Sequence, residues 1–413
     1  MICSVWLNAA SLSLCISSLV IVVYRLSALE YVSKREWIVT LGWTVFGILV
    51  QMLELESVVQ APVVYEGICG VLLCICLGGV WHVRKTNIVG PDAISDLEQI
   101  PLKDKVVVVT GSNCGIGFET AINFASKGAR VVLACRSGEK AAAAKKLVVE
   151  TTGNKKVDIE LLDLGRFETI YACADSLKVK YGHVDILVNN AGILTPNRCE
   201  TADGFETTLQ VNFLGTFLFS LLLVPLLEAS PMEIPSRIVF VNSSVHKACT
   251  SLGGLCFDDM NLNSGYGMFR AYSQSKLALL LVSRELSRRL ETGEELPFCS
   301  RVPVQTRKNL VTVNSLMPGT IGTSITRNMP WWAELGHKYV ITALIKNCEE
   351  GARTTTFVGS SKLLTHVSGR YFEHCAEAPA DKSVEDRYLR LKVWNWAVSA
   401  LLTTNQGLQT NLN

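Results

Sequence analysis

From residue 105 onward, short β-branched runs alternate with longer amphipathic stretches. Lys105 to Thr110 reads Lys-Val-Val-Val-Val-Thr, the near-continuous apolar run of a parallel strand buried on both faces. The pattern predicts further strands at 129–135, 157–162, 184–188, 237–242 and 310–316. Between them it predicts helices at 118–127 and 139–151, a third running from Asp163 to Lys180, and two more at 205–227 and 272–290. Such alternation specifies a parallel sheet covered by helices on both faces, an α/β doubly wound fold. Residues 291–309, with Gly293, Pro297 and Pro303, break the rhythm and read as a surface insertion.

The first 83 residues carry a different pattern. Residues 1–24, 37–53 and 67–83 contain no charged side chain, and Ala61 to Tyr65 offers an extension of the third run. The first is long enough to cross a bilayer, and the other two sit near the lower limit. The expected organisation is an N-terminal helical membrane module of about three spans at 1–83, a linker at 84–103 turning at Gly90-Pro91, and a cofactor-binding domain at 104–413. Two of the runs forming a re-entrant or interfacial hairpin, and a cleavable signal peptide in the first, remain open alternatives. Arg25, Lys34 and Arg35 follow the first run, Glu54 and Glu56 the second, and Arg84 and Lys85 the third. The excess of Lys and Arg puts the first loop and everything after 83 in the cytosol. The expected location is an integral membrane, that of the endoplasmic reticulum, with the large domain facing the cytosol.

Composition agrees with that division. The chain has 413 residues, 49% of them apolar, and a mean hydropathy of +0.29, high for a wholly soluble protein. A net charge of +2 makes no case for nucleic acid. Fourteen cysteines are scattered without a C-x-x-C pair or a zinc-finger histidine, so no metal site is expected and a reducing compartment is. Cys74 and Cys76 lie in an apolar run and read as lipid-facing or packed. With at most three spans and no intramembrane charge pairs, a transporter is excluded. Trp394 and Trp396 fit either the membrane surface or a docked C-terminal helix.

Candidate chemistry gathers at the ends of the strands. The turn Gly111-Ser112-Asn113-Cys114-Gly115-Ile116-Gly117 follows a strand and precedes a helix. Glycines there let the backbone bend and approach a dinucleotide pyrophosphate resting on the helix N-terminus, the Rossmann arrangement. Where NAD would want an acidic residue after the second strand stands Arg136, suited to the 2′-phosphate of NADP(H) or else an ordinary surface cation. Asp163 and Leu164 close the third strand, placed for the adenine or for a plain turn or cap. Asn113, Arg136, Asp163, Asn190, Ser244 and Pro318 all fall just past strand ends, along one edge of the sheet. Tyr272 and Lys276, four apart on a predicted helix, share a face. An ammonium beside a phenol favours the phenolate and suits the phenol to proton transfer.

With these pieces in place, residues 104–375 resemble the short-chain dehydrogenase/reductase family. The resemblance is carried by Thr-Gly-x3-Gly-x-Gly at 110–117, Asn-Asn-Ala-Gly at 189–192, Asn212, Ser244, Tyr272-x3-Lys276, and Pro318-Gly319 with Thr323. Ala134-Cys-Arg136, Val211 to Leu218 and Ser275 to Ala278 are similar to the membrane-bound retinol-dehydrogenase branch, which also resembles polyprenol-dehydrogenase relatives. The resemblance implies that Tyr272 moves the substrate proton and that Lys276 lowers its pKa and bonds the nicotinamide ribose. It implies that Ser244 bonds the substrate oxygen and that Asn212 holds a relay water, although Asn212 in an apolar helix could instead satisfy backbone groups. Asn190, Ala191 and Gly192 would line the cofactor, and Pro318, Gly319 and Thr323 would close near the nicotinamide. Ser244 is preferred to Ser243, although its 28-residue separation from Tyr272 is long. Asn242-Ser243-Ser244 is formally a glycosylation sequon, at a place no glycan should occupy. Residues 324–347, apolar and aromatic, read either as a lid over a lipophilic substrate or as a packed helix pair.

The implied activity is NADP(H)-linked interconversion of a lipophilic alcohol with its aldehyde or ketone. Retinoids, polyprenoids and sterols are all admissible, and membrane lipids are expected partners. A homodimer is left open. The alternative is a non-catalytic, membrane-tethered NADP-binding sensor or scaffold.

Overall fold

The computed structural model describes residues 100, 102–231, 233–298, 310–319 and 347–410, all within the unit Ile88–Asn413. The three apolar runs, nearly all of the linker, most of the insertion, Thr323 and the variable segment up to 346 lie outside the described residues.

The described elements are β1 (Val106–Thr110), α1 (Gly115–Ser126), β2 (Arg130–Cys135), α2 (Gly138–Thr152), β3 (Val157–Leu161), α3 (Phe167–Tyr181) and β4 (Ile186–Asn189). They continue with α4 (Thr207–Glu228), then β5 (Ser236–Val241), α5 (Met268–Thr292), β6 (Val311–Met317), α6 (Cys348–Ser360), β7 (Tyr371–Glu373), β8 (Ala376–Glu377) and α7 (Arg387–Thr410). Eight strands form one sheet in the order β3-β2-β1-β4-β5-β6-β7-β8. Pairing is parallel except for β7 with β8.

The valine run of β1 shows how sequence becomes layer. Val106 and Val108 pack into the core on one face, with Phe167, Phe217 and Leu281. Val107 and Val109 pack into the opposite core, with Phe124, Leu133 and Phe357. The period of two sends alternate side chains through the sheet to two helical layers. The strand order reverses between β1 and β4, and the loops leaving these two strands diverge into a crevice where ligands bind.

α4 is the one described helix long and apolar enough to cross a membrane, yet 89% of its apolar window is buried inside this domain. Continuous apolarity here reflects a core helix flanked by α3, α5 and α7. The structure resolves the two tryptophans in favour of docking. Trp394 is buried, meets the Phe217 ring edge-on at 4.9 Å and carries the Arg289 guanidinium at 4.5 Å. Trp396 stacks on Phe213 at 6.3 Å. The membrane-surface alternative for this pair is therefore set aside, because α4 and α5 expose an apolar seam that α7 covers.

Some boundaries move. α1 begins at Gly115 rather than 118, because glycines carry no apolar period although their backbone is already helical. α5 begins at Met268, a turn before Tyr272, and β5 ends at Val241, one residue early. The apolar pattern does not predict β7, β8 or α6: the strands are too short to show a period. The fully buried Arg237 on β5 donates to Val358 O at 3.1 Å and Ser361 O at 2.8 Å, so a cation satisfies the carbonyl end of α6. Its burial pulls the guanidinium down to about 10.

Candidate active site

The glycine turn is held by its neighbours before any ligand is considered. Gly111 donates to Ala134 O at 2.9 Å, and Ser112 Oγ donates to Val109 O at 2.8 Å and meets Cys135 Sγ at 3.6 Å. The Thr110 hydroxyl accepts the amides of Asn190 and Ala191, both at 3.0 Å, and Asn190 Nδ2 donates to Thr110 O at 2.9 Å. These bonds lace the β1 and β4 loops together across the crevice.

The glycines then do different work. A Cβ on Gly111 would lie 2.9 Å from Ala191 Cα, and one on Gly117 would lie 2.3 Å from Asn190 Nδ2, so both are required by packing. Of the three turn glycines, only Gly115, at φ +63°, faces open space with nothing within 4 Å. It opens α1, whose N-cap Cys114 makes no side-chain cap, whereas Ser137 caps α2 and Asn347 caps α6. Uncapped first-turn N–H groups beside an open glycine are what a pyrophosphate requires. Across the crevice, a Cβ on Gly192 would stand 3.5 Å from Asn212 Oδ1 and 3.6 Å from Lys276 Nζ. The missing side chain keeps the floor clear between the β4 loop and the polar cluster. The residues fit a dinucleotide.

The polar cluster is assembled from three elements. α5 supplies Tyr272 and Lys276, with the Lys276 ammonium 5.7 Å from the Tyr272 ring centroid. Lys276 Nζ donates to Val241 O at 3.0 Å, and Asn242 Nδ2 donates to Lys276 O at 3.0 Å, so the end of β5 is pinned to the helix at both atoms. α4 supplies Asn212 from a π-helical stretch, Gln210–Leu214. Such a bulge, frequent at functional sites, re-aims a side chain from within a core helix. Asn212 Oδ1 accepts Ile193 N at 2.8 Å, while Nδ2 donates to Ile193 O at 2.9 Å and Ser275 Oγ at 3.2 Å. Backbone satisfaction, the alternative weighed for this residue, is realised in the geometry.

The serines need a distinction. The serine whose side chain pulls the Tyr272 phenol down is Ser243, whose extended backbone (φ −148°) follows the early end of β5. Ser244 is half-buried and opens the turn Ser244–Ala248. Spacing and resemblance favour Ser244 and assign Ser243 no role of its own.

Electrostatics also departs from expectation. Burial pushes the phenol of Tyr272 up to about 12, with the Ser243 hydrogen bond pulling it down. The same burial pulls Lys276 down to about 8. An ammonium beside a phenol favours the anion, but desolvation of both groups outweighs that attraction.

Among the remaining expected cofactor residues, Arg136 is exposed just past β2 and pairs with no carboxylate among the described residues. Asp163 Oδ1 accepts Gly165 N at 3.0 Å, so the turn role is occupied, and Leu164 is buried in the core. Asn113 and Ile116 are half-buried, Cys114 is exposed, and Pro318 is buried beyond β6 with Gly319 at φ +103°. No group of metal-ligating side chains is present among the described residues. Thr110, Asn242 and Ser275, to which the sequence assigns no site role, also bond into these loops and helices. Each acts through a backbone or relayed bond that leaves no trace in spacing.

The family model for short chain dehydrogenases matches residues 105–252. Human retinol dehydrogenase 11 is 35% identical over 301 residues, covering 72% of this chain and 85% of the relative. Human retinol dehydrogenase 12 is 34% identical, over 72% and 86% respectively. A crystal structure of an uncharacterized protein from Mycobacterium Paratuberculosis superposes with a TM-score of 0.56 at 26% identity, covering 74% of this chain and 97% of that one. The chain belongs to the short-chain dehydrogenase family, in its retinol-dehydrogenase-like branch. It is an alcohol/carbonyl oxidoreductase that takes a nicotinamide dinucleotide.

Proposed function

We propose that this chain is a membrane-anchored NADP(H)-dependent enzyme that reduces a lipophilic aldehyde or ketone to its alcohol, and can run in reverse. The observation that carries the reading is the convergence of Tyr272, Lys276 and Asn212 beside Gly192, in a domain whose open Gly115 turn begins α1. The cofactor supplies or accepts the hydride. The chain's residues handle everything else.

A phenol whose pKa is about 12 is protonated at neutral pH, which makes Tyr272 a donor to a nascent alkoxide in the reductive direction. Ser243 orients the phenol, and the resemblance assigns the substrate oxygen to Ser244. Lys276 spends one N–H on Val241 O, leaving donors for a ribose hydroxyl. Asn212 Oδ1 retains a second acceptor site toward a relay water. Arg136, exposed and without a carboxylate partner among the described residues, supports NADP(H) over NAD. Three uncharged runs in the first 83 residues support the anchor, and the loop charges support a cytosolic domain at the endoplasmic reticulum. The relatives' names support a retinoid as the first substrate to try, with polyprenoids and sterols beside it.

The test uses full-length protein in lipid nanodiscs with NADPH or NADH, presented with retinal, a long polyprenal and a ketosteroid. Consumption of NADPH on one class, lost in Tyr272→Phe, is expected. Tight NADPH binding without turnover on any lipophilic carbonyl would overturn the reading and favour a sensor.

A further inference from the structure

His246 is fully buried and engages both ring nitrogens. Nδ1 lies 2.6 Å from the Ser243 carbonyl oxygen, and Nε2 accepts the backbone N–H of Asp381 at 3.2 Å. An acceptor at Nε2 places the proton on Nδ1, so the ring is neutral and donates to Ser243. The backbone N–H of His246 reaches the same carbonyl at 3.2 Å. Its ring meets Tyr371 edge-on at 5.3 Å. One side chain thus fastens the turn after β5 to a segment 135 residues further along the chain.

What it fastens is the residue on the proton donor. The Ser243 amide donates to Asn242 Oδ1 at 2.8 Å, and the Ser243 side chain pulls the Tyr272 phenol down. Asn242 is in turn tied to Lys276. On one side, therefore, the turn is held by α5. On the other, the His246 ring ties it to the Asp381 amide.

We infer that neutral His246 is a positioning residue that latches Ser243 and Ser244 against Tyr272 by clamping their turn to the C-terminal segment. The inference rests on the reading of Tyr272 as proton donor. Protonation would place an Nε2–H against the Asp381 N–H, two donors facing each other, and release the latch. Burial holds the imidazole below its ordinary 6.5, so the latch is closed at neutral pH. The charged groups acting on the ring are Lys247 on its own turn, and Asp381 and Glu373 on the C-terminal segment. α5, packed on the same turn, brings Tyr272, Lys276 and Arg270 to Ser243, Val241 and Cys249. Because the folded pKa is depressed, stability and activity are both lost as pH falls below the ordinary histidine range.

The test compares wild type, His246→Phe and His246→Gln in the full chain. Phe keeps the ring against Tyr371 and removes both polar ends, whereas Gln offers one donor and one acceptor. His246→Phe should lose on the order of 10- to 100-fold in kcat, the scale of a small misplacement, with cofactor affinity unchanged. His246→Gln should regain most of the rate. The acid limb of the wild-type kcat profile should be absent from both variants. Nitrogen-15 spectra of the protein without cofactor should show the Nδ1–H tautomer. Wild-type kcat in the Phe variant, an acid limb that survives in the Gln variant, an Nε2–H tautomer, or rate losses that merely follow melting temperature would each overturn the latch. If wild type turns over no substrate, the proposed function fails instead, and the tautomer still judges the latch.

Discussion

Lys276 offers the sharpest test of how this site moves a proton. Its ammonium stands 5.7 Å from the centre of the Tyr272 ring. With the phenolate charge placed at the ring centre and an effective dielectric of about 20, the ammonium is worth roughly 3 kcal/mol, or about two pK units. The phenol already sits at about 12, so Lys276→Met pushes it further from reach. Alcohol oxidation needs the phenolate, whose fraction falls tenfold per unit, and should slow by about 100-fold at a fixed pH below 8. Carbonyl reduction needs the protonated phenol, abundant in both proteins, and should slow far less at saturating cofactor. The wild-type profile carries a second signature. Lys276 holds its charge below about 8 and loses it above, so the oxidation rate should rise less steeply once pH passes that value. The variant should lack that inflection, and Lys276→Arg, which keeps a cation, should recover part of the oxidative rate. The assay is nicotinamide absorbance in both directions across that pH range. Equal losses in both directions with an unmoved inflection would show that Lys276 only holds the ribose, and the electrostatic reasoning would be wrong.

Other outcomes follow from the same geometry. Arg136→Asp should raise the KM for NADPH by about tenfold or more, while that for NADH holds or improves, since a charge-assisted contact to a 2′-phosphate is exchanged for a repulsion; unchanged preference in paired kinetics would reject the contact. Ser243→Ala removes the bond that pulls the phenol down and should shift the oxidative profile to higher pH, whereas Ser244→Ala should lower kcat/KM without a shift. If the two serines behave the other way round, their roles are exchanged. Trp394→Ala empties the seam beside Phe217 and should cost about 3–5 kcal/mol, read as a drop in melting temperature and faster proteolysis of α7. An unaltered melting curve would mean that α7 is not docked in solution.

The sequence by itself determined the features whose causes are local. Four consecutive valines in β1 could only be a strand buried on both faces, and their alternation with helical periods dictated a doubly wound sheet. The order of that sheet then puts the ends of its strands on one edge, so position and type alone mark Arg136, Asn190 and Tyr272 as candidate site residues. Other features were decided by partners far along the chain. Whether Ser243 or Ser244 meets the phenol depends on where β5 stops and how α5 lies across it. Asn212 reaches Ile193 because of a π-helical stretch that no apolar period reveals. Trp394 became a core residue when α7 met Phe217, and His246 became a latch through an amide 135 residues away. The direction of the Tyr272 shift could not be read from spacing either. The four-residue step to Lys276 fixes the attraction, but desolvation is set by everything folded around the pair, and in this structure it is the larger effect.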